Sequence, residues 1–495
     1  MWARSNRLVI NAGVLLNIAW LKTGLSYNDV LLVPRRSGVE SRRSVSTVST
    51  IAGDIKLKIP LMSANMDTVT EANMAIAIAR EGGLGIIHRF MGIAGEAAEV
   101  RKVKRAEAYV IDRPYSIGKD AAIAEAREIM QKHGVSGLLV IDKANRLLGI
   151  LSDRDIRFID NESETVSKAM TPRSRLVTAS PGIGMDEALK VLDRNKLEKL
   201  PLVDRNNVVM GLITSKDLYR RMHSDKYAKD RKGRLLVGAS IGIKGDYLER
   251  AEALADAEVD ILVLDVAHGH TDSVMKAVKE VKKSLPEMKL MAGNVATREG
   301  FEDLAAAGAD CIKVGIGPGA ACTTRRITGA GMPQLTAIID CHESARKLRI
   351  SLISDGGIKN SGDITKSLAA GANAVMIGSL FAGTDESPGY FIRRDGAKYK
   401  AYRGMASFGA NISRKKMDKV EIDPQEVFDI VPEGVESSVP YIGSMKEVVY
   451  QLIGGVRSGM SYCGASNLEQ LRKNAKFIRL TDGAEKESYE KLKQY

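Results

Sequence analysis

KVGIGPGAACTTRRITGAGMPQ, Lys313–Gln334, is the stretch on which the reading of this chain turns. A β-type run, Cys311–Val314, feeds a loop holding Gly315, Gly317, Pro318 and Gly319, followed by Cys322 and the threonines Thr323 and Thr324. Glycines at this density let backbone approach a ligand closely and adopt positive φ, where N–H or C=O groups line a charged pocket. A cysteine at the end of such a loop is a candidate nucleophile if its thiolate is stabilised. A glycine-rich turn before a buried, inert cysteine is the alternative, and the loop alone does not decide between them.

On both sides of this stretch, short apolar runs alternate with helical patterns. The strand candidates are Lys58–Ser63, Gly83–Ile87, Leu235–Ile241, Asp260–Asp265, Lys289–Gly293, Cys311–Gly315, Ile350–Asp355 and Ala374–Gly378. Helical patterns follow at Thr70–Glu81, Lys244–Ala257, Thr271–Leu285, Arg298–Ala307, Leu335–Leu348 and Ser361–Ala370. Strands buried on both faces of a parallel sheet read as continuous apolar runs, as these do. Eight βα units predict an α/β fold, a (β/α)8 TIM barrel; a doubly wound open sheet is the second choice, since no GxGxxG opens a helix after the first strand.

A barrel gathers its site at the C-terminal ends of its strands. Those ends carry Ser63–Asp67, His88, Asp265 with His268 and His270, Gly293-Asn294, the cysteine loop, Asp355-Gly356-Gly357 and Gly378-Ser379. Glycine-rich backbone after strands seven and eight is the recurrent phosphate site of this fold. Alone, Asp355-Gly356-Gly357 reads equally well as a plain turn; beside the cysteine loop and Gly378-Ser379 it reads as part of a site. His268 and His270, two apart and without Cys or Glu partners, read as loop or substrate contacts rather than metal ligands.

The strand–helix rhythm is interrupted between about Tyr109 and Met222 by a duplicated unit. GILSDRDI from Gly149 recurs as GLITSKDL from Gly211, each after a helix, an apolar run and a turn. Repetition of this kind is structurally informative. It resembles a tandem pair of CBS (cystathionine-β-synthase) modules, a family that binds adenine nucleotides. The resemblance puts Ser152 and Asp155, and Thr214 and Asp217, on ribose and phosphate. Both strings also fit plain helix N-caps.

Composition narrows the function. The chain has 495 residues, 44% of them apolar and 27% charged, which allows two or three soluble domains. Its net charge of +12 is scattered and aromatics are only 5%, so an anionic small substrate fits better than nucleic acid. The four cysteines, Cys311, Cys322, Cys341 and Cys463, form no CxxC pair, which points to a reducing, cytoplasmic setting without disulfides or zinc. No apolar run reaches the roughly 20 residues that span a bilayer. Arg4 and Arg7 precede an apolar stretch, Leu8–Leu21, but Asn11 and Asn17 interrupt it, so residues 1–21 read as an extension rather than a targeting signal.

Several segments together carry a specific resemblance. They are GLSYNDVLLVP (Gly24–Pro34), MSANMDTVTE (Met62–Glu71), AHGH (Ala267–His270), GIGPGAACTTR (Gly315–Arg325), SDGGI (Ser354–Ile358), YRGM (Tyr402–Met405), VPEGVE (Val431–Glu436) and QLIGGVRSGMSYCGA (Gln451–Ala465). With the inserted tandem module, the chain after about Leu21 resembles the IMP dehydrogenase / GMP reductase family. The resemblance implies barrel segments at 22–108 and 229–495, CBS modules at 109–165 and 166–228, and a flap at about 404–431. It implies IMP with its phosphate on Asp355, Gly356, Gly357, Gly378, Ser379 and the Tyr402, Arg403, Gly404, Met405 and Ala406 backbone, and the purine against Glu433. Cys322 would attack the hypoxanthine and form a thioimidate, with Thr324 at the reacting centre. Hydride would pass to NAD+ near Asp265, Gly315, Ile316 and Gly317. A K+ ion would sit on carbonyls of Gly317, Gly319 and Cys322, completed by Glu487, Ser488 and Tyr489 of a neighbouring subunit in a homotetramer. Adenine or guanine nucleotides would bind the CBS pair; neither nucleic acid nor membrane is required.

Two positions depart from the family pattern. The flap Arg-Tyr pair that activates water is absent between Gly404 and Val431, where Arg414 is the substitute candidate. Ala320 replaces a serine that contacts phosphate. These departures raise the reductase branch, which needs no hydrolytic flap. Against it, Phe408 stands where a reductase carries its catalytic glutamate, and Val431–Glu436 and Glu487-Ser488 follow the dehydrogenase pattern.

Overall fold

A computed structural model describes residues 7–10, 14–17, 22–106, 110–222, 225–410, 412 and 431–489. The chain divides into two compact units: Met1–Val103, Tyr227–Asp230 and Leu235–Tyr495 form one, and Lys104–Lys226 with Arg231–Arg234 the other.

In the larger unit eight strands close a parallel barrel. They are β1 (Leu61–Ser63), β2 (Leu84–Ile87), β3 (Val237–Ile241), β4 (Ile261–Asp265), β5 (Lys289–Val295), β6 (Cys311–Val314), β7 (Ser351–Asp355) and β8 (Ala374–Ile377), with β8 pairing β1 to close the ring. Strands β2, β3, β6 and β8 are buried at every residue, which is why they read as largely apolar runs, interrupted by Ser240 in β3 and Lys313 in β6. The interior is filled by alternate residues, Leu84 with Ile86, Ile261 with Val263, and Ala374 with Met376. A hairpin of Ser49–Ala52 and Ile55–Leu57 adds Ile51 and Leu57 to this core. Its Thr50 carbonyl accepts from Ser351 Oγ (3.1 Å) at the start of β7, so the hairpin lies at the N-terminal end of the barrel.

The outer helices are α1 (Ala72–Arg80), α2 (Ile93–Arg105), α3 (Tyr247–Asp256), α4 (Asp272–Ser284), α5 (Arg298–Ala307), α6 (Gln334–Leu348), α7 (Ser361–Ala370) and α8 (Met445–Tyr462). Side chains cap four starts: Thr271 accepts from Val274 N, Thr297 from Gly300 N, Asn360 from Asp363 N and Ser444 from Lys446 N. Helix α8 was not among the sequence-predicted helices, although its segment carried part of the resemblance. It packs between α7 and α1 and supplies the eighth helix of the ring. Gly455 and Gly459 make this possible, for a Cβ would stand 2.1 Å from Ser361 Oγ at the first and 2.8 Å from Thr365 Cγ2 at the second. Strand Val30–Leu32, within the Gly24–Pro34 segment, pairs with Phe477–Arg479. Arg7–Ile10 and Val14–Asn17 pair with each other.

In the smaller unit, strands Ser116–Gly118, Gly137–Ile141, Leu147–Ser152 and Thr171–Pro172 form one sheet, and Lys199–Val203 pairs Val209–Thr214 in another. Sheet membership differs from a cut at 165/166. Thr171–Pro172 joins the first module's sheet, while Ile111 bridges to Leu212 of the second. Each module thus takes an edge segment from the other's stretch of sequence. Helices Ile123–His133 and Met185–Arg194 cover the sheets. Ser152 and Asp155 form a capping box, with Ser152 Oγ donating to Asp155 Oδ2 at 2.6 Å.

Candidate active site

The segment after β6 is shaped by contacts on three sides. Gly315 has φ +150°, and a Cβ there would lie 2.1 Å from the carbonyl oxygen of Asp355, so only glycine lets the loop pass β7 so closely. Cys322 N donates to Gly319 O (3.0 Å), tightening the turn. Thr323 N then donates to Glu433 O (2.8 Å) and Val435 N to Ala321 O (2.9 Å). Segment 433–435 is itself tied to 404–406, through Gly404 N to Val435 O and Glu433 N to Ala406 O. Strands Ala397–Arg403 and Glu436–Pro440 continue this pairing, with Arg403 opposite Glu436. The cysteine loop and segments 404–406 and 433–435 therefore form one hydrogen-bonded layer.

Side chains converge across that layer. Cys322 Sγ donates to Thr324 Oγ1 at 3.2 Å, and Thr324 Oγ1 donates to Glu433 Oε2 at 2.8 Å. A thiol, a hydroxyl and a carboxylate in series give the cysteine proton a route to a base, the arrangement an activated nucleophile needs. Cys322 is half-buried, whereas Cys311, Cys341 and Cys463 are fully buried, and burial pushes the thiols of all three up. Cys322 lines a cavity.

That cavity has a volume of about 350 Å³ at the C-terminal end of the barrel. Of the residues expected in the site, Asp265, Gly315, Ile316, Gly317, Gly319, Cys322, Thr324, Asp355, Gly356, Gly378, Tyr402, Gly404, Met405, Ala406 and Glu433 line it. Gly357, Ser379 and Arg403 do not. The Arg403 guanidinium is turned to Asp67, with Nε donating to Oδ2 at 2.7 Å, so it braces the end of strand Ala397–Arg403 instead of facing the cavity. Arg414 lies outside the described residues. Glu487, Ser488 and Tyr489 fall in helix Asp482–Tyr489. His270 Nε2 is 2.8 Å from Asp303 Oδ2.

The cavity floor carries residues to which the sequence reading gave no role. Lys313 Nζ lies 2.5 Å from Asp265 Oδ1 and 2.6 Å from Asp355 Oδ2. Asn65 Nδ2 donates to Asp265 Oδ2 (3.0 Å), and Asn294 Nδ2 donates to both Asp355 Oδ2 (3.0 Å) and Gly315 O (2.8 Å). Burial opposes ionisation of Asp265, but the Lys313 ammonium and the hydrogen bonds from Lys313 and Asn65 prevail and hold its carboxyl below the usual range. Burial likewise opposes the charge of Lys313, and the two carboxylates reverse it, so the ammonium stays protonated. Burial, then the nearby Asp355 and Cys322, push the Tyr402 phenol up to about 12. Arg89 completes the wall beside Asn65 and Asp265. Lys313 carried a readable signal, being a charged residue inside an otherwise apolar parallel strand, where an ammonium must be paired.

Residues 24–490 match the family model for the IMP dehydrogenase / GMP reductase domain. The chain belongs to the IMP dehydrogenase / GMP reductase family. Among curated relatives of the family, it is 49% identical over 471 residues to the inosine-5'-monophosphate dehydrogenase of Aquifex aeolicus, covering 95% of each chain. The Nitrosopumilus maritimus inosine-5'-monophosphate dehydrogenase is 48% identical over 461 residues, 93% of this chain and 96% of that one. Among solved family structures, a cysteine-to-alanine variant of Trypanosoma brucei GMP reductase with guanosine 5'-monophosphate is 41% identical, with a TM-score of 0.90 over 95% of this chain and 98% of that one.

Proposed function

We propose that this chain oxidises IMP to XMP with NAD+ through a covalent adduct on Cys322. The observation that carries the proposal is the Cys322–Thr324–Glu433 series opening into the cavity floored by Asp265 and Asp355. The curated relatives named above support the dehydrogenase reading.

The residues fit roles set by their chemistry. A carboxylate accepts hydrogen bonds and repels phosphate, so Asp355 takes ribose hydroxyls while the backbone N–H groups of Gly356 and Gly378, which line the cavity, take the phosphate. Tyr402, Gly404, Met405 and Ala406 close over the nucleotide. Cys322 gives its proton through Thr324 towards Glu433, and its sulfur bonds to the hypoxanthine carbon between the two pyrimidine nitrogens. That carbon loses its hydride, leaving a thioimidate. Water then adds to the same carbon, giving up a proton to a base, and the Cys322 sulfur departs to leave XMP. Glu433, recharged by proton loss, is placed to serve as that base through Thr324; Arg414 is the second candidate. Dividing oxidation from hydrolysis replaces one hard step with two easier ones.

NAD+ supplies the hydride acceptor when bound. Asp265 and Asn65, with the backbone of Gly315, Ile316 and Gly317, offer acceptors and donors suited to its nicotinamide riboside end. For K+, backbone carbonyls of Gly317, Gly319 and Cys322 are hard oxygen donors of the kind an alkali cation takes, and Gly317 at φ +85° frees the local backbone to turn. Glu487, Ser488 and Tyr489 of a neighbouring copy complete this reading, which implies a homotetramer. The capping box of Ser152 and Asp155 supports a structural role there, and nucleotide binding by the CBS pair remains a proposal for titration with ATP and GTP. Four free thiols fit a cytoplasmic setting.

The reductase is the second reading, favoured by the Trypanosoma brucei structure. Purified protein with IMP, NAD+ and K+ should form NADH and XMP; consumption of NADPH with GMP and no reaction with IMP would give the reductase. Cys322→Ala abolishes turnover in both. Arg414→Ala accumulates an adduct visible by mass spectrometry if Arg414 activates the water, and leaves no excess adduct if Glu433 does.

A further inference from the structure

Lys313 is 2% exposed, sits on β6 and touches neither end of the Cys322–Thr324–Glu433 series. A fully buried ammonium is expensive to hold unless paired, and two carboxylates from different strands pair it here. Asp265 ends β4 and Asp355 ends β7, so the contact spans the mouth of the barrel. Both carboxylates line the cavity, and each keeps capacity for a ligand, since a carboxylate has about four acceptor sites and each receives two donors, Lys313 included. Neither carboxylate can turn without altering the single cation they share.

We infer that Lys313 is a positioning residue that couples the nucleotide and dinucleotide subsites, by holding the carboxylate that serves each one on a common ammonium. The inference rests on the dehydrogenase reading for the identity of the two ligands and on the Lys313 geometry for the coupling. A nucleotide hydroxyl on Asp355 draws charge from that carboxylate and leaves Lys313 more strongly committed to Asp265. Asp265 is then fixed for the dinucleotide, and by reciprocity the dinucleotide fixes Asp355. Asn294 extends the arrangement to the cysteine loop, because the same amide donates to Asp355 and to Gly315 O. The nucleophile loop therefore shares its register with the carboxylate pair.

The test uses the full-length protein and calorimetric titration of IMP and NAD+, each alone and then together. Asp265→Asn should weaken IMP binding about three- to ten-fold with no NAD+ present, although Asp265 serves the other ligand. Lys313→Met should weaken both ligands and abolish any effect of one on the other, and Lys313→Arg should restore part of both affinities. An Asp265→Asn chain that binds IMP as the parent does overturns the inference. So does a Lys313→Met chain in which one ligand alone is weakened. Should Lys313→Met not fold, the partly exposed Asp265→Asn decides the matter by itself. Binding is read without turnover, so a parent that binds both nucleotides but forms no XMP would overturn the activity reading and leave this one standing.

Discussion

Glu433 reaches the reacting cysteine through a single hydroxyl, and its charge is what the proposed chemistry uses. Glu433→Gln keeps the size and can still meet Thr324, so IMP affinity should stay within a few-fold while kcat falls about 10²-fold or more, the usual contribution of a positioned base. Stopped-flow absorbance at the NADH band separates the two steps, and an unchanged kcat would remove Glu433 from the mechanism. The sequence reading had the cysteine, the threonine and the glutamate, with Glu433 set against the purine by the family resemblance, but not the link from Glu433 to Thr324, because no spacing rule joins positions over a hundred residues apart. Lys313 and Asn294 were in view without a role for the same reason. Their meaning lies in what β4 and β7 present opposite them, and that is a property of barrel closure.

At the scale of elements, the loop after β6 and helix α8 both depend on close backbone approach. Gly315→Ala forces a Cβ onto the Asp355 carbonyl at a positive φ. It should therefore lower kcat and IMP affinity together while the chain remains folded by circular dichroism. Gly455→Val drives a side chain into Ser361 at the α7–α8 contact. The expected loss is about 1–3 kcal/mol of stability, read as a lower Tm, with the site chemistry of the folded fraction preserved. Six of the eight outer helices and all eight strands occupy or overlap stretches read as periodic patterns or apolar runs, with α2 and α8 outside them. Helix α8 escaped that reading because Gly454, Gly455 and Gly459 look like loop punctuation until α7 is placed beside them. The pairing of 404–406 and 433–435 with the cysteine loop was also illegible, since it is a backbone contact that side-chain identity does not encode.

For the whole molecule, one buried acid makes stability depend on pH. Glu96 on α2 is fully buried against Arg250 and Asp246 of the α3 segment, with Arg250 donating to Glu96 Oε2 at 2.6 Å. Burial outweighs the attraction of Arg250 and Arg89 and raises its carboxyl to about 8. A raised acid is protonated in the folded chain where the unfolded chain has released the proton. Between the usual glutamate range and pH 8, stability from this group therefore declines as pH rises, by at most about 1.4 kcal/mol per pH unit. Glu96→Gln should flatten that decline. Thermal melts of both chains from pH 5 to 8 check it, and parallel slopes would refute it. The exchanged edge segments of the smaller unit have a consequence for dissection. Cutting the chain between the two halves of the duplicated unit would strip one sheet of Thr171–Pro172 and separate Leu212 from its bridge to Ile111, exposing unpaired strand edges that invite aggregation. The pair should be excised or transplanted as one piece, and single modules should be recovered chiefly as insoluble protein.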